Sequence, residues 1–300
     1  MAKILIAGGT GLIGSKLIKK LKQKKYEVVL LSTRRDLPLS SDIHYWNPGK
    51  NEFPQIDLSG IQACFNLCGA PVFDKPFTAK RRQELINSRI LPLEFLDRQF
   101  EIAGLTLPQL ISASAIGIYP YICLNEVNED STTGNGFIPD LVKVWEAAAN
   151  GFKTAAGISV LRIGIVLSET GGFLSQLAKP IRYFAGTVPG DGKQVISWIH
   201  VDDLTDLMIW MMEHRINGTF NAVAPQPATL RDITRSTAKA LKRPLLLPDI
   251  PVRVLNLIFG DERTRILMSS QPVSSKKIEH IGFTFRFTDP DIAIQQLLKG

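Results

Sequence analysis

The sequence has few cysteines and no long apolar run. Three cysteines in 300 residues, Cys64, Cys68 and Cys123, are too few for a disulfide framework and have no companions at a zinc-site spacing. We therefore predict packed thiols and no metal site. No apolar run approaches the roughly 18 residues that a membrane-spanning helix needs. The short apolar run near the N-terminus leads into a glycine turn and does not resemble a signal peptide. These absences predict a cytoplasmic protein with no membrane partner.

The positive charges are not arranged for nucleic acid. The chain carries 35 lysines and arginines against 28 acidic residues, a formal net charge of +7. Many of the lysines fall on one predicted helix near the N-terminus, with no arginine-rich arm and no interleaved aromatic residues. A solvated helix face explains this pattern, so we expect no nucleic-acid partner. The positive surplus would still attract an anionic cofactor.

Short apolar runs alternate with helical patterns through most of the chain. The predicted strands are Lys3–Ala7, Glu27–Ser32, Ile43–Trp46, Ala63–Leu67, Gln109–Ala113, Ser159–Ile163 and Thr219–Ala222. The predicted helices cover residues 12–24, 78–102, 138–155, 172–184, 202–215 and 229–241. Near-continuous apolar strands indicate a parallel sheet that is covered on both faces. The alternation predicts an α/β protein with a Rossmann-type, doubly wound parallel sheet.

The alternation of strands and helices stops at Pro244, where a linker that contains several prolines begins. Beyond it we predict two short helices, an extended segment over Gly282–Phe287 and a final helix over the last ten residues. The predicted organisation is therefore a dinucleotide-binding domain over residues 1–243 and a small C-terminal lobe over residues 244–300. Residues 164–200 contribute to the substrate cleft, and the lobe forms one of its walls.

A glycine-rich turn follows the first strand. Gly8 permits the sharp turn because it lacks a Cβ, Gly11 lets the backbone approach a diphosphate, and Gly14 lets the helix pack closely on the strand. The diphosphate would lie at the helix N-terminus, where free N–H groups and the helix dipole favour an anion. The segment predicted to bind a dinucleotide comprises Gly8, Gly9, Thr10, Gly11, Leu12, Ile13 and Gly14. The alternative is a purely structural turn.

The end of the second strand predicts which dinucleotide binds. Rossmann folds that bind NAD place an acidic residue near this point, to hold the ribose 2′-hydroxyl. Here Ser32 is followed closely by Arg34 and Arg35, and a guanidinium binds a 2′-phosphate in a fork. The pattern predicts NADP(H). Asp36 argues against this prediction, because it would favour NAD if the second strand ended a few residues later. The structural alternative is that the two arginines form an exposed basic turn that binds no cofactor.

Two further strand ends carry polar or small residues at the edge where open α/β sheets bind ligands. Asn66, Leu67, Cys68 and Gly69 end the fourth strand, and we predict that they border the cofactor, although an ordinary strand-to-loop turn has the same pattern. Ser112 and Ser114 end the fifth strand, and we predict that Ser112 also borders the cofactor. A hydroxyl there can donate to a substrate carbonyl or cap its own loop. Tyr119 follows as either an acid or a wall residue.

Together these segments resemble a known family. The chain carries in order Gly8-Gly9-Thr10-Gly11-Leu12-Ile13-Gly14, Asn66-Leu67-Cys68-Gly69, Ser112-Ala113-Ser114-Ala115-Ile116-Gly117-Ile118-Tyr119, Trp145-Glu146, Leu161-Arg162-Ile163-Gly164-Ile165-Val166-Leu167, Trp198-Ile199-His200-Val201-Asp202-Asp203 and Gly282-Phe283-Thr284-Phe285-Arg286-Phe287. This pattern is similar to a subgroup of the extended short-chain dehydrogenase/reductases that is labelled "epimerase family" or nucleoside-diphosphate-sugar epimerase. Members of that subgroup end in a domain of unknown function similar to residues 250–298 here.

The resemblance implies roles for individual residues. Ser114 falls at the position of the catalytic serine of sugar-nucleotide epimerases, and Arg34 and Arg35 fall on the loop that selects NADP. Three residues, Arg162, Ile163 and Gly164, fall on the segment that passes near the nicotinamide. The implied function is an NADP(H)-binding oxidoreductase or epimerase that acts on a small-molecule substrate, such as a nucleotide sugar or a small carbonyl compound.

The chain also departs from the family pattern. The family's catalytic pair is Tyr-x-x-x-Lys, but the equivalent positions here are Ile138 and Val142, and Lys143 lies one residue away, about 100° around the helix. The proton must then come from another group, and Ser114 and Tyr119 are the predicted catalytic residues. The missing pair also supports an alternative, a non-catalytic NADP(H)-responsive regulator or partner-binding protein. Ala70 replaces the subgroup's usual glutamate.

His200 lies close to Asp202 and Asp203, a pattern that also occurs in metal or base sites. We predict instead that one of the two aspartates caps a helix that begins near Leu204.

Overall fold

A seven-stranded parallel sheet forms the centre of the molecule. The computed structural model describes residues 2–36 and 42–299. The strands are β1 Lys3–Ala7, β2 Glu27–Ser32, β3 Ile43–Tyr45, β4 Ile61–Asn66, β5 Leu110–Ala115, β6 Ile158–Ile163, β7 Ile165–Leu167, β8 Val195–Ile196, β9 Trp198–His200, β10 Gly218–Ala222 and β11 Ala228–Thr229. The main sheet has the order β10-β6-β5-β4-β1-β2-β3, and all its neighbours are parallel. The predicted Rossmann-type fold is confirmed.

Ten helices are found in the described part of the chain. They are α1 Leu12–Gln23, α2 Ala79–Ile102, α3 Phe137–Asn150, α4 Gly172–Arg182, α5 Val201–Glu213, α6 Leu230–Ala240, α7 Val252–Phe259, α8 Asp261–Leu267, α9 Lys276–His280 and α10 Pro290–Lys299. The six helices predicted before Pro244 are all present. The third ends at Asn150, five residues earlier than predicted, because Gly151 follows it and weakens the helix. None of the described helices is long and apolar enough to cross a bilayer.

The order of the strands creates the ligand-binding edge. The chain runs outward from β1 through β2 to β3, then returns to pair β4 on the other side of β1. The connection that leaves β1 leads to one side of the sheet, and the connection that leaves β4 leads to the other side. A crevice therefore opens between their carboxyl ends, where the direction of winding reverses. The interior of β1 is fully apolar and buried, with Leu5 and Ile6 inaccessible to solvent. This rigid centre holds the glycine turn at the mouth of the crevice.

Two smaller sheets extend the carboxyl edge beyond β6. Strand β7 pairs in parallel with β9, and β8 pairs antiparallel with β11. The segment after α8 runs alongside them, because Ser270 exchanges backbone hydrogen bonds with Tyr121 and Cys123, and the Gln271 N–H donates to Val195. The far end of the chain is thereby tied to the loop that follows β5.

The phenylalanine-rich tail is extended but does not join a sheet. Phe283 and Phe285 are buried in the main apolar cluster, while Phe287 is buried in a second cluster with residues of α6 and α10. Asp203 holds the tail backbone by accepting hydrogen bonds from the N–H groups of Arg286 (3.1 Å) and Phe287 (2.9 Å). The C-terminal residues thus share their apolar clusters with the first 243 residues, and a domain boundary at Pro244 stays a prediction.

Candidate functional site

The glycines of the first turn differ in the room that they leave for a side chain. Gly8 has a φ of +80°, and a Cβ there would lie 2.7 Å from the carbonyl carbon of Leu67. A Cβ on Gly14 would overlap the backbone of Gly9. A Cβ on Gly11 would meet only the carbonyl oxygen of Gly8, at 3.8 Å, so it would project into open space. Gly8 and Gly14 are therefore needed by the fold, whereas the space beside Gly11 is available to a ligand.

The N-terminus of α1 fits an anion. Gly11 is its N-cap residue and supplies no side-chain hydrogen bond, and the first turn contains no acidic residue. The first intrahelical hydrogen bond runs from the N–H of Ser15 to the carbonyl of Gly11. The N–H groups of Leu12, Ile13 and Gly14 therefore lack intrahelical acceptors, as at any helix start. Free donors, a helix dipole and an open space beside Gly11 together match a diphosphate.

The basic turn after β2 is exposed, and each of its two arginines has an acidic neighbour. Arg34 pairs with Asp36 at 2.6 Å, and both side chains are more than half exposed. The backbone N–H of Arg34 donates to Ser32 Oγ. Arg35 lies over the ring of Tyr45 and 3.6 Å from Glu52. The carboxylate of Asp36, which is the rival signal for NAD, is thus paired with Arg34.

The carboxyl ends of β4 and β5 are joined by a buried polar contact. The side-chain amide of Asn66 donates to Ser112 Oγ at 3.3 Å, and both side chains are inaccessible to solvent. Asn66 also accepts from the backbone N–H of Cys68. Burial raises the pKa of the Cys68 thiol to about 12, so this thiol stays protonated and unreactive. These residues shape the edge of the crevice, with Leu67 against the glycine turn.

Arg89 is a residue of this edge that the motif search missed. It lies on α2, is 8% exposed, and donates to the carbonyls of Leu85 and Ala70. No carboxylate of the described residues lies within 4.0 Å of its guanidinium. Burial, together with the charge of Arg81, lowers the pKa of Arg89 to about 10. A buried cation without a counter-charge is costly unless an anion binds beside it.

Arg89 is placed beside the glycine segment of β4. A Cβ on Gly69 would lie 3.3 Å from the central guanidinium carbon of Arg89, so the guanidinium leaves little room for a side chain there. Ala70, whose carbonyl accepts from Arg89, stands where the resemblance places a glutamate. Arg89 therefore adds a positive charge beside the loop that follows β4.

Ser114 belongs to a buried hydrogen-bonded network. Its hydroxyl donates to Glu146 Oε1 at 2.6 Å. Arg162 donates to both carboxylate oxygens of Glu146, at 2.9 and 3.0 Å. Burial alone would lower the pKa of Arg162, but its hydrogen bonds to Glu146 and Tyr119 and their charge interactions raise it above the ordinary value. Arg162, predicted as a cofactor contact, is thus engaged by protein groups.

Tyr119 lies at the far end of the same network. It is inaccessible to solvent, its hydroxyl donates to Asn221 Oδ1 at 2.7 Å, and it accepts from Arg162 at 3.0 Å. Burial raises the pKa of Tyr119, so its proton is held more tightly than in water. This position favours a structural role for Tyr119 over contact with a substrate.

The segment after β6 is fixed by close backbone packing. Ile163 is buried, and the N–H of Gly164 donates to the carbonyl of Ala222 at 3.1 Å. A Cβ on Gly164 would lie 2.5 Å from the carbonyl oxygen of Ser197. The chain therefore passes tightly between Ala222 of β10 and Ser197, which precedes β9, and its position near a nicotinamide stays a prediction.

The prediction for the start of α5 was wrong. The helix begins at Val201, and its N-cap is His200, whose Nδ1 accepts a hydrogen bond from the N–H of Asp202 at 3.0 Å. The aspartates are in the first turn instead, and Asp203 is recruited by the distant tail backbone. Over residues 2–36 and 42–299 no three metal-ligating side chains cluster at any point.

Comparison with known proteins agrees with this geometry. A model described as "NAD dependent epimerase/dehydratase family" matches residues 4–90 and 145–222. The chain belongs to this family. Residues 250–297 also match a model described as a domain of unknown function, DUF1731, which confirms the resemblance noted for the tail.

Relatives in the epimerase/dehydratase family match along nearly the whole chain. Epimerase family protein Mb2239 of Mycobacterium bovis is 32% identical over 288 residues, which is 95% of this chain and 93% of the relative. A human epimerase family protein, SDR39U1 isoform 2, was solved with NADPH and superposes with a TM-score of 0.87 at 26% identity over 99% of both chains. A nucleoside-diphosphate sugar epimerase from Corynebacterium glutamicum has a TM-score of 0.73 at 28% identity, covering 99% of this chain and 58% of that one.

Helix α3 departs from the Tyr-x-x-x-Lys pattern that the resemblance implies. Ile138 and Val142, at the positions of the tyrosine and lysine, are both buried and apolar. Lys143 points elsewhere, since its Nζ donates to the carbonyl of Gly134 at 2.8 Å and pairs with Asp140 at 3.1 Å. The polar side chains that meet at the end of β5 include Ser114 and its partner Glu146.

Proposed function

We propose that this protein is an NADP(H)-dependent oxidoreductase or epimerase of the extended short-chain dehydrogenase/reductase type, acting in the cytoplasm on a small molecule. The substrate class is a compound with a hydroxyl or carbonyl carbon, such as a nucleotide sugar or a small carbonyl compound. The solved sugar-nucleotide epimerase relative supports this class. The open space at Gly11 beside the free N–H groups of α1 is the observation that carries the proposal.

The preference for NADP(H) rests on the basic turn after β2. Arg34 and Arg35 lie where the ribose of the adenosine half would be held, and a 2′-phosphate would compete with Asp36 for the Arg34 guanidinium. The human relative solved with NADPH supports the same choice. Arg89 would add a third cation, on the diphosphate side of the crevice.

When bound, NADP(H) supplies a nicotinamide that accepts or donates a hydride at a carbinol or carbonyl carbon. This chain's own residues bind the diphosphate at α1, hold the 2′-phosphate at the basic turn and place Ser114 at the end of β5. Without the tyrosine–lysine pair, general acid–base help is reduced, and such help contributes about 10²–10⁴-fold in rate. We therefore expect slow turnover.

The test is a titration of the intact protein with NADP⁺, NADPH, NAD⁺ and NADH. We expect tighter binding of the phosphorylated cofactors by about tenfold or more, because charge-assisted hydrogen bonds to phosphate are strong. The Arg34→Ala/Arg35→Ala variant should lose this preference. Asp36→Asn is the matched control and should sharpen it, because it removes the competing carboxylate. Equal affinities of the wild type for both cofactors would contradict the proposal.

The buried Ile138 and Val142 favour a second candidate, a non-catalytic NADP(H)-responsive regulator. The two functions differ in turnover. Tight NADPH binding with no oxidation of NADPH over a broad panel of aldehydes, ketones and nucleotide sugars would favour the regulator. Turnover that falls in Ser114→Ala with unchanged NADPH affinity would favour the enzyme.

A further inference from the structure

The network at the end of β5 has only one consistent arrangement of its protons. Arg162 can only donate hydrogen bonds, and the Glu146 carboxylate with which it pairs can only accept them. Ser114 Oγ lies 2.6 Å from Glu146 Oε1, so the Ser114 hydroxyl must be the donor. Tyr119 accepts from Arg162, so its own proton must go to Asn221. Because Arg162 can only donate and the Glu146 carboxylate can only accept, the direction of each of these hydrogen bonds is fixed.

This direction determines what Ser114 can offer a ligand. Its single proton is committed to Glu146, and no donor of the described residues bonds to Ser114 Oγ. The unshared electron pairs of Ser114 are therefore the only hydrogen-bonding capacity it has left. Ser114 is 3% exposed and lies at the carboxyl end of β5, beside Arg162 in the strand register, on the edge where ligands of such sheets bind.

We propose that Glu146 is a positioning residue which fixes Ser114 as a hydrogen-bond acceptor toward the cleft, so that the site recognises a substrate hydroxyl in preference to the matching carbonyl. This inference rests on the proposed function, because it requires a substrate at the end of β5. The site, with its hydrogen bonds as observed, then binds the alcohol form of the substrate more tightly than the carbonyl form. The Trp145-Glu146 motif contributes to substrate specificity through Glu146.

The preference follows from the cost of turning the Ser114 hydroxyl around. To donate to a carbonyl oxygen, Ser114 must break its bond to an ionised carboxylate, and hydrogen bonds of that kind are stronger than neutral ones. Glu146 Oε1 would keep its hydrogen bond from Arg162 Nε but lose the one from Ser114, at a side chain that is 8% exposed. A substrate hydroxyl avoids this cost because it donates to Ser114 Oγ and leaves the network intact.

The test compares matched secondary alcohols and ketones of the same carbon skeleton in complexes that cannot react. Each alcohol is titrated into the protein saturated with NADPH, and each ketone into the protein saturated with NADP⁺, by calorimetry. The ratio of the two dissociation constants is normalised to the same ratio in Ser114→Ala, which removes the effect of the cofactor. We expect the wild type to favour the alcohol by about tenfold.

Glu146→Gln should bring this normalised ratio close to one. An amide oxygen holds the Ser114 proton less strongly than a carboxylate, and an amide nitrogen in the other orientation would donate to Ser114 instead. Glu129→Gln is the matched control: it removes one negative charge beside the network, at the carboxylate that accepts from the Asn221 N–H, without touching Ser114. It should leave the ratio unchanged. Should Glu146→Gln fail to fold, Glu146→Leu/Arg162→Met removes the ion pair as a unit and should give the same loss.

Neutron diffraction from the deuterated protein with NADP⁺ gives a second readout that needs no substrate. We expect the Ser114 deuteron on the line to Glu146 Oε1. A deuteron directed into the cleft, or an alcohol preference that Glu146→Gln leaves intact, overturns the inference. Failure of every compound to bind or react, with the Ser114 deuteron directed at Glu146 Oε1, overturns the proposed enzymatic function and the substrate preference together, and leaves only the hydrogen-bond assignment standing.

Discussion

At the scale of single residues, the glycines of the first turn have separable duties. A side chain at Gly11 enters open space, whereas one at Gly14 enters the backbone of Gly9. We expect Gly11→Val to fold with nearly unchanged stability and to lose cofactor binding, because the side chain fills the space of the diphosphate. Thermal melts with and without NADPH measure both effects.

Gly14→Ala is the control for this prediction. It should lower the free energy of unfolding by about 1–3 kcal/mol, as expected of an overpacked contact. A folded Gly11→Val protein that binds NADPH with wild-type affinity would show that the diphosphate lies elsewhere.

Arg89 gives a second prediction at the residue scale. Arg89→Met removes a buried charge that has no counter-charge, and this offsets the loss of its hydrogen bonds to the carbonyls of Leu85 and Ala70. We expect the cofactor-free protein to keep its stability within about 1 kcal/mol, while NADPH affinity falls by about tenfold. Arg89→Lys keeps the charge but not the fork and should lose less affinity. Unfolding titrations and NADPH fluorescence measure the two effects, and equal affinity of all three proteins would exclude Arg89 from the site.

At the scale of the helix, α5 depends on a neutral histidine. His200 Nδ1 accepts from the N–H of Asp202, Nε2 faces Gln296 Oε1 at 3.0 Å, and the ring stacks on Phe287. Burial lowers the pKa of His200 to about 4, against an ordinary value of 6.5. The folded state therefore holds this ring neutral in a pH range where the unfolded state binds a proton.

The sign of the pH effect follows from that difference. As the pH falls from 7 to 5, protons bind to the unfolded state more than to the folded state, so the protein should lose about 1–2 kcal/mol of stability from His200 alone. Denaturant titrations at both pH values measure this loss. His200→Asn keeps a capping side chain that does not titrate and should show a smaller loss. The same loss in both proteins would assign the effect to other groups.

At the scale of the whole molecule, the tail packs against helix α5. Trp210 of α5 lies edge-on to Phe283 of the tail at 5.8 Å, and Asp203 of the same helix binds the tail backbone. We expect a single unfolding transition in which far-UV circular dichroism and the fluorescence of a single-tryptophan variant retaining Trp210 coincide.

Asp203→Asn should lower the midpoint of that transition without splitting it. One of the two tail N–H groups then faces the NH₂ group of the asparagine, which cannot accept a hydrogen bond. Asp206→Asn, on the exposed side of α5, is the matched control and should have a smaller effect. An early fluorescence change that precedes the loss of helix signal would instead make residues 244–300 an independently unfolding lobe.

The fold was largely predictable because its signals are local. A strand, a glycine turn and a helix that follow one another in the chain carry their pattern within about 20 residues, and parallel strands with right-handed crossovers leave few arrangements of the sheet. Helix ends were less predictable. The start of α5 was misplaced because its cap is an imidazole, and because Asp203 serves a tail 83 residues further along the chain.

The sequence by itself therefore determined the parallel sheet, the glycine turn and the family, and with them the class of cofactor that this fold binds. Only the tertiary structure decided which polar side chains pair with one another and which can still bind a ligand. Ser114 meets Glu146, and Tyr119 meets Asn221, across 32 and 102 residues. Arg89 meets no carboxylate at all within the described chain. A pattern of residues cannot show such pairings, because they depend on which side chains of distant elements converge at the carboxyl edge, and a buried donor or acceptor takes its role from the partner it meets there.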